Sequence, residues 1–194
     1  MNGRFSDLKK LPREPAARML AMANAKLATK LNSPASAPVD MVLAELSEAD
    51  AIFDMLRLIS VGLPPRERAW WACLAARDAL PEGLDKPTAC LAASEAWVFK
   101  PTDENRIAAR EAMERAEADD DTSLCAATVA MCDGRLGPAD LSEHLAPPGV
   151  AEASAFGMNM VALNLHGDEF ETYGQLLVDR ALDIARGGNG RLAD

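Results

Sequence analysis

Prolines, glycines and capping residues interrupt this chain at intervals that suit helices, and no window between them alternates steadily between apolar and polar residues. Steady alternation is the pattern of a half-buried strand. The segments between the interruptions are instead rich in Ala, Leu, Met, Glu and Arg, which are strong helix formers. The pattern predicts an all-α fold, a compact array of about seven or eight helices arranged as antiparallel hairpins.

Proline and glycine positions also divide the chain into three parts. Residues 1–38 are predicted to form a basic N-terminal helix, over residues 15–31, followed by a linker that contains two prolines. Residues 39–188 are expected to form the helical domain. The end of the chain, residues 189–194, follows a glycine-rich stop and is expected to fray.

Within the helical domain, Ser47 and Asp50 have the spacing of a capping box, which predicts that a new helix begins at Ser47. The two most apolar segments are 66–80 and 88–99, and segments that are apolar on nearly every side are usually central in a fold. The residues at 81–83, Pro-Glu-Gly, are expected to end the first of these helices.

The chain has 20 basic and 30 acidic residues, a formal net charge of −10. Residues 1–38 contain seven basic and two acidic residues, a net of +5, so the rest of the chain carries −15. An acidic body repels phosphate backbones, so we expect no nucleic-acid partner, although the basic segment could dock on that body. No apolar window reaches the ~20 residues of a membrane span, so we expect no membrane partner and a cytoplasmic location.

The four cysteines lie among Ala, Leu and Val, where a reduced cysteine behaves as a small apolar residue. They are Cys73, Cys90, Cys125 and Cys132. A zinc site would need histidines at ligand spacing, and the two histidines, His144 and His166, are far apart and match no cysteine pair. We therefore expect free core thiols, no metal and no cofactor.

Glu95 is the carboxylate of most interest because it lies on the apolar segment 88–99. A buried carboxylate needs a partner or a raised pKa, and we expect Arg77 or Arg106 to form an ion pair with it. No Ser or Cys nucleophile has a plausible His and acid partner, and no glycine-rich loop joins a strand to a helix. We therefore expect a protein that is not an enzyme.

Asn159 and His166 are seven residues apart and share a helix face with small residues. Such a stripe suits either a groove that binds a partner or a crossing point between two close helices. Trp70 and Trp71 are neighbours on one helix, so they point about 100° apart. Trp70 has the more apolar company and is predicted to lie in the core. Trp71 is predicted to be partly exposed, where it either covers a neighbouring helix or floors a groove for a partner segment.

Residues 63–77 read LPPRERAWWACLAAR, a proline–basic–Glu segment that leads into a double Trp. An Ala-rich stretch with Trp97 and Val98 follows, and then Pro101 and the Asn-Arg pair that ends at Arg106. Over about a quarter of the chain, this pattern resembles a family of uncharacterised small helical proteins of proteobacteria, which are often encoded near type VI secretion genes.

The resemblance implies an accessory role in secretion and brings no catalytic residues with it. The function we expect is therefore a non-enzymatic protein-interaction factor, an adaptor, chaperone or accessory protein whose partner is a secretion-system component or effector. Two alternatives stay open. One is an acidic immunity protein that neutralises a basic toxin, and the other is an enzyme of a type that the sequence does not reveal.

Overall fold

The computed structural model describes residues 3–81 and 86–192, and in these ranges the chain forms nine α-helices and no strand, which confirms the all-α prediction. None of the helices in this part is long and apolar enough to cross a membrane. The helices are α1 (Ala16–Met22), α2 (Val39–Glu48), α3 (Ile52–Gly62), α4 (Pro65–Ala79), α5 (Ala89–Phe99), α6 (Asp103–Glu114), α7 (Ser123–Ala130), α8 (Val150–Leu165) and α9 (Phe170–Arg186).

Helix α4 lies at the centre of the fold and packs against α5, α7, α8 and α9. Half of its buried positions are alanines, which lets the backbones of neighbouring helices come close on several sides. The main core joins α4 to α2, α3, α8 and α9, and its largest side chain is Trp71. A second, smaller apolar cluster joins α4 to α5, α6 and α7 around Trp97.

The N-terminal segment, residues 3–38, is part of the same core. Phe5 and Met19 are buried in the main apolar cluster. Residues 16–37 form a loop whose two ends are joined by a hydrogen bond. The N–H of Ala16 donates to the carbonyl of Ala37 at 2.9 Å. The basic segment therefore docks on the acidic body through apolar packing.

Two ion pairs add to this docking. Arg4 reaches Asp179 on α9 at 2.8 Å, and Lys10 reaches Glu67 on α4 at 2.8 Å. Both pairs are partly exposed, so each contributes only ~0–1 kcal/mol and the buried side chains dominate the attachment.

The first helix is much shorter than predicted, because α1 ends at Met22 and not at residue 31. Asn24 has a positive φ of 48°, which turns the chain out of the helix. The next residues are held in an irregular path by two distant carboxylates, Asp54 and Glu45, which accept hydrogen bonds from four backbone N–H groups. These belong to Ala28, Thr29, Asn32 and Ser33.

The prediction that a helix begins at Ser47 is also wrong. Ser47 lies inside α2, which continues to Glu48. The chain reverses at Asp50, whose φ is +51°, and α3 begins at Ile52 without a side-chain cap. Helix α4 ends close to its predicted boundary, and residues 82–83 of the expected stop signal lie outside the described residues.

The start of the C-terminal tail contacts the rest of the fold at residues 189 and 190. Gly190 is buried, and its N–H donates to a carboxylate oxygen of Asp183 at 2.8 Å. The indole N–H of Trp70 donates to the carbonyl of Asn189 at 2.7 Å. These contacts join residues 189 and 190 to the rest of the fold, the fraying of the tail stays a prediction, and residues 193–194 lie outside the described residues.

Candidate functional site

Trp71 is fully buried, so its predicted role as a partly exposed floor of a binding groove is wrong. Its indole N–H donates to the carbonyl of Leu177 at 2.9 Å. The sequence suggested exposure because Asp78 shares its helix face. In the fold that carboxylate is paired, accepting hydrogen bonds from Tyr173 and Arg180 on α9, so this face of α4 packs inward.

Glu95 forms its ion pair with Arg77, through two hydrogen bonds of 2.5 and 2.7 Å. The other candidate, Arg106, is wrong as a partner for Glu95. It pairs in the same bidentate way with Asp133, at 2.5 and 2.6 Å. Both oxygens of Glu95 are used in joining α5 to α4, which indicates a structural role for this carboxylate.

Asn159 lies inside the fold and does not line a surface groove, whereas His166 keeps a partly exposed ring, so its role in partner binding stays a prediction. Asn159 is fully buried and donates to the carbonyl of Ala155 at 2.9 Å. His166 is half-buried, and its ring stacks on Tyr173 with 3.9 Å between ring centroids. The stripe of small and polar residues on α8 is therefore a helix-crossing surface.

All four cysteines are free thiols, as predicted. Burial raises the pKa of Cys90 to about 11, and a hydrogen bond with Cys73 together with burial raises the pKa of Cys125. Thiols with raised pKa values carry little thiolate at neutral pH and react slowly. Within residues 3–81 and 86–192, no three His, Cys, Asp or Glu side chains are grouped so that they could hold a metal ion.

An apolar surface cavity lies between α1, the connection from α7 to α8, and the first turn of α8. It has a volume of about 480 Å³, and we call it the methionine groove. Three methionines contribute to its wall, together with Val61 and Leu145. They are Met19, Met22 and Met131.

Two apolar side chains on the rim of the methionine groove face solvent. Met22 is 66% exposed and Leu145 is 73% exposed. Burying an apolar side chain of this size stabilises a complex by ~1.5–3 kcal/mol. Methionine is flexible and polarisable, and it adapts well to different binding partners. The groove therefore offers an adaptable apolar surface that residues 3–81 and 86–192 leave exposed.

The groove depends on a close approach between two backbones. Gly149 precedes α8 with φ +80°, and a Cβ at this position would lie 1.9 Å from the carbonyl oxygen of Ala23. Only glycine fits here, because both the left-handed conformation and the short distance exclude a side chain. This contact fixes the end of α1 beside the start of α8 and so sets the width of the groove.

The charged residues that line the groove are both acidic, Glu14 and Glu152. Glu152 is bound by the buried Arg68 at 2.8 Å, and burial lowers the pKa of that guanidinium. Glu14 lies 3.4 Å from Arg18 at the surface, and an exposed pair of this kind contributes only ~0–1 kcal/mol. No lysine, arginine or histidine is among the lining residues, so the rim favours cationic groups on a partner.

Sequence reasoning missed this groove because its walls come from distant parts of the chain. The signal that was present is the segment Met-Leu-Ala-Met at residues 19–22. In the fold, α1 ends at Met22 and leaves that side chain 66% exposed.

Comparison with known proteins gives a family but no function. A family model described as a family of unknown function (DUF6931) matches residues 42–185, which is most of the chain. No curated protein and no solved structure matches this chain. The matched region contains the α8 side of the methionine groove, whereas the wall from α1 precedes it.

Proposed function

Because the chain belongs to DUF6931, a family of unknown function, we propose its role from its own surface: it is a non-enzymatic protein-interaction factor, an adaptor, chaperone or accessory protein. The observation that carries this proposal is the exposure of Met22 and Leu145 at the rim of the methionine groove. Exposed apolar side chains that border a concave apolar surface are typical of sites where another protein binds.

The chemistry of the groove defines the partner segment. Its floor calls for two or three apolar side chains, and Glu14, whose pair with Arg18 is long and exposed, calls for a flanking Lys or Arg. The net charge of −10 acts in the same direction over a longer range, because it attracts a basic partner and speeds its encounter. We therefore propose a partner segment with apolar residues next to basic ones.

We further propose that the partner is a component or effector of a bacterial type VI secretion system and that the two proteins meet in the cytoplasm. This step is supported by the resemblance of residues 63–77, with their double Trp, to proteins encoded near such systems. In the fold most of these residues belong to the central helix α4. Their tryptophans, Trp70 and Trp71, are not among the residues that line the groove. The resemblance thus supports the setting, and the groove supports the mode of binding.

The test compares Met22→Glu with Met41→Glu, each as tagged protein in the native host, followed by purification and mass spectrometry. Met22 lines the groove, whereas Met41 is 50% exposed on α2 and does not line it. Both substitutions add one negative charge at an exposed position, so neither should change the free energy of unfolding by more than ~0.5 kcal/mol. We expect a partner that the wild type and Met41→Glu retain and Met22→Glu loses.

The retained partner is then purified and its binding is measured directly. Crosslinks should join its apolar–basic segment to the groove, and the dissociation constant should rise with salt because the attraction is between opposite charges. A partner that binds Met22→Glu and the wild type equally would refute the groove as the site. Crosslinks that consistently map elsewhere would do the same.

The second candidate is an immunity protein that neutralises a basic toxin, and it is favoured by the acidic rim and the net charge of −10. A growth assay separates the two. Cells that express a basic effector from the same host should recover on co-expression of the wild-type chain if it is an immunity protein. An adaptor would bind the effector without restoring growth.

A further inference from the structure

The two most exposed aromatic side chains in the described part of the chain lie at opposite ends of α9. Phe53 is 53% exposed beside the first residue of α9, and Phe99 is 69% exposed beside a cavity that the last residues of α9 help to line. At 1.5 Å per residue, the stretch from Phe170 to Ile184 spans about 21 Å. The two surfaces are therefore separate.

The first of these surfaces is acidic, and we call it the acidic end. Phe53 packs against Phe170 with 5.4 Å between ring centroids. Three exposed carboxylates surround the start of α9, and none of them is in an ion pair with the described residues. They belong to Asp168, Glu169 and Glu171.

The second surface is basic and aromatic, and we call it the basic end. Trp70 and Phe99 lie 5.9 Å apart between ring centroids at a cavity of about 300 Å³. Three cationic side chains line that cavity, but only one acidic residue does, Glu67. The cationic residues are Lys10, Arg66 and Arg191.

Two of these three cationic side chains are not neutralised by a carboxylate. Lys10 is bound to Glu67 at 2.8 Å, which neutralises both. Arg66 donates through Nε to the carbonyl of Val98 at 2.6 Å, and Arg191 stacks over Trp70 at 5.3 Å from its ring centroid. Neither arginine is in an ion pair within residues 3–81 and 86–192. A local surplus of cations is unexpected in a chain with a net charge of −10.

We propose that the basic end binds the acidic end of a second copy of this chain, so that the protein associates head to tail. Each end presents one Phe that is more than half exposed, and the free charges have opposite signs. One copy cannot join its own two ends, because α9 holds them apart. Burial of the two Phe rings supplies the apolar part of the contact, and the arginines and carboxylates set its orientation.

A contact between two different surfaces is heterologous, and it produces either a closed ring or an open chain of copies. The two ends are small compared with the ~800 Å² per partner of a stable interface. The association is therefore weak, concentration-dependent and weakened by salt. None of the residues named at either end lines the methionine groove, so the assembly would present that groove several times and strengthen binding to a repeated partner.

The test measures sedimentation velocity of the full chain over a wide range of protein concentration. We expect the wild type to shift to higher mass as concentration rises. Arg66→Glu at the basic end and Glu171→Lys at the acidic end should each raise the dissociation constant about tenfold or more. Arg13→Glu is the matched control for Arg66→Glu, because Arg13 is exposed, does not line the cavity at the basic end and is in no ion pair with the described residues.

Mixing the two variants makes the test specific for head-to-tail contact. The Arg66→Glu copy keeps a normal acidic end, and the Glu171→Lys copy keeps a normal basic end. The mixture should therefore form one-to-one dimers, although each variant alone is mostly monomeric. A thermal melt of each variant confirms that it is folded.

Three results would overturn the proposal. One is a wild-type chain that stays monomeric at every concentration. Another is self-association that Arg66→Glu leaves unchanged, which would place the contact elsewhere. The third is a mixture that remains monomeric, since a symmetric contact between two identical surfaces predicts no rescue.

Discussion

At the scale of single residues, Trp70 and Trp71 differ in burial although they are neighbours on α4. Trp71 is fully buried in the main core, whereas Trp70 is half-buried at the basic end. We predict that Trp71→Ala lowers the free energy of unfolding by about 3–5 kcal/mol, because it removes a large core side chain and leaves a cavity. Trp70→Ala should cost clearly less, because water already reaches that ring. Urea denaturation of the two variants measures the difference.

Equal losses for the two variants would contradict this assignment of core and edge. The sequence alone predicts the opposite, a core Trp70 and a partly exposed Trp71, because Asp78 lies on the same helix face as Trp71. A charged residue on a helix face usually indicates exposure. Here that carboxylate accepts hydrogen bonds from Tyr173 and Arg180, which lie nearly a hundred residues away in sequence. A local sequence pattern does not predict partners at that separation.

The pair of Glu95 and Arg77 makes the second prediction at this scale. Glu95 is 8% exposed, but the side chain of Arg77 is 47% exposed, so the pair lies at the edge of the core. Removing the carboxylate leaves a guanidinium that water can solvate, which makes the loss smaller than for a fully buried pair. We expect Glu95→Gln to lower the free energy of unfolding by about 1–2 kcal/mol.

The control for this variant is Glu48→Gln, which changes an exposed carboxylate with no ion pair among the described residues. It should leave the unfolding free energy within ~0.5 kcal/mol of the wild type. A Glu95→Gln variant as stable as that control would show that the hydrogen bonds to Arg77 contribute nothing net. The sequence identified Glu95 correctly as a carboxylate that needs a partner, because its helix is apolar on nearly all sides.

At the scale of elements, the packing of α1 beside α8 depends on Gly149. Gly149→Ala should be strongly destabilising, because the new Cβ would lie 1.9 Å from the carbonyl oxygen of Ala23. Gly134→Ala is the matched control, since its φ is +78° but nothing lies within 4 Å of the added atom. The control should cost only the ~1–2 kcal/mol of a left-handed alanine.

The difference in the free energy of unfolding between the two variants gives the cost of the clash with Ala23, because both variants carry the same penalty for a left-handed alanine. Thermal denaturation gives the cost, and hydrogen exchange shows whether the amides of α1 lose protection in Gly149→Ala. Equal cost in both variants would indicate that α1 moves away freely and that the groove has no fixed width.

The irregular segment after α1 makes a pH-dependent prediction. Hydrogen bonds from the backbone N–H groups of Asn32 and Ser33 hold the pKa of Glu45 below its ordinary value of 4.5. The unfolded chain therefore binds this proton more readily, and the stabilisation is lost as the pH falls below about 4.5 and through the lower pKa of the folded state. Glu45→Gln should reduce the pH dependence of stability in that window and leave it unchanged above pH 6.

Amide exchange at Asn32 and Ser33 is the measurement that links the effect to this segment, because the two N–H groups should lose protection in acid and in Glu45→Gln. Unchanged protection would refute the role of Glu45. Most helices of the domain could be predicted from proline, glycine and Ala-rich composition. The end of α1 could not, because carboxylates on α2 and α3 provide hydrogen-bond acceptors that compete with helix continuation.

At the scale of the whole molecule, charge is arranged by region. The N-terminal segment is basic and bound to an acidic body, the methionine groove has an acidic rim, and the two ends of α9 have opposite signs. Composition could predict the first of these, because it counts charges along the chain. It could not predict the others, since Lys10, Arg66 and Arg191 come together only when the fold brings three distant segments to one cavity.

This arrangement predicts how salt affects stability. All ten ion pairs of the described part have donor–acceptor distances of 3.4 Å or less. The Debye length falls from about 30 Å at 0.01 M salt to about 10 Å at 0.1 M, so these short pairs are little screened over that range. The repulsion from a net charge of −10 acts across the whole molecule and is screened strongly.

Added salt should therefore weaken the repulsion among the excess negative charges more than the attraction within the ion pairs. The melting temperature should then rise between about 0.01 and 0.1 M sodium chloride. A gain of about 1 kcal/mol corresponds to about 2–4 °C for a chain of this length. The variant Asp119→Asn, Asp121→Asn removes two exposed negative charges, so it should melt higher at low salt and gain less from added salt. Calorimetry at low protein concentration measures the effect without self-association. A melting temperature that falls over this range would mean that the ion pairs outweigh the excess negative charge.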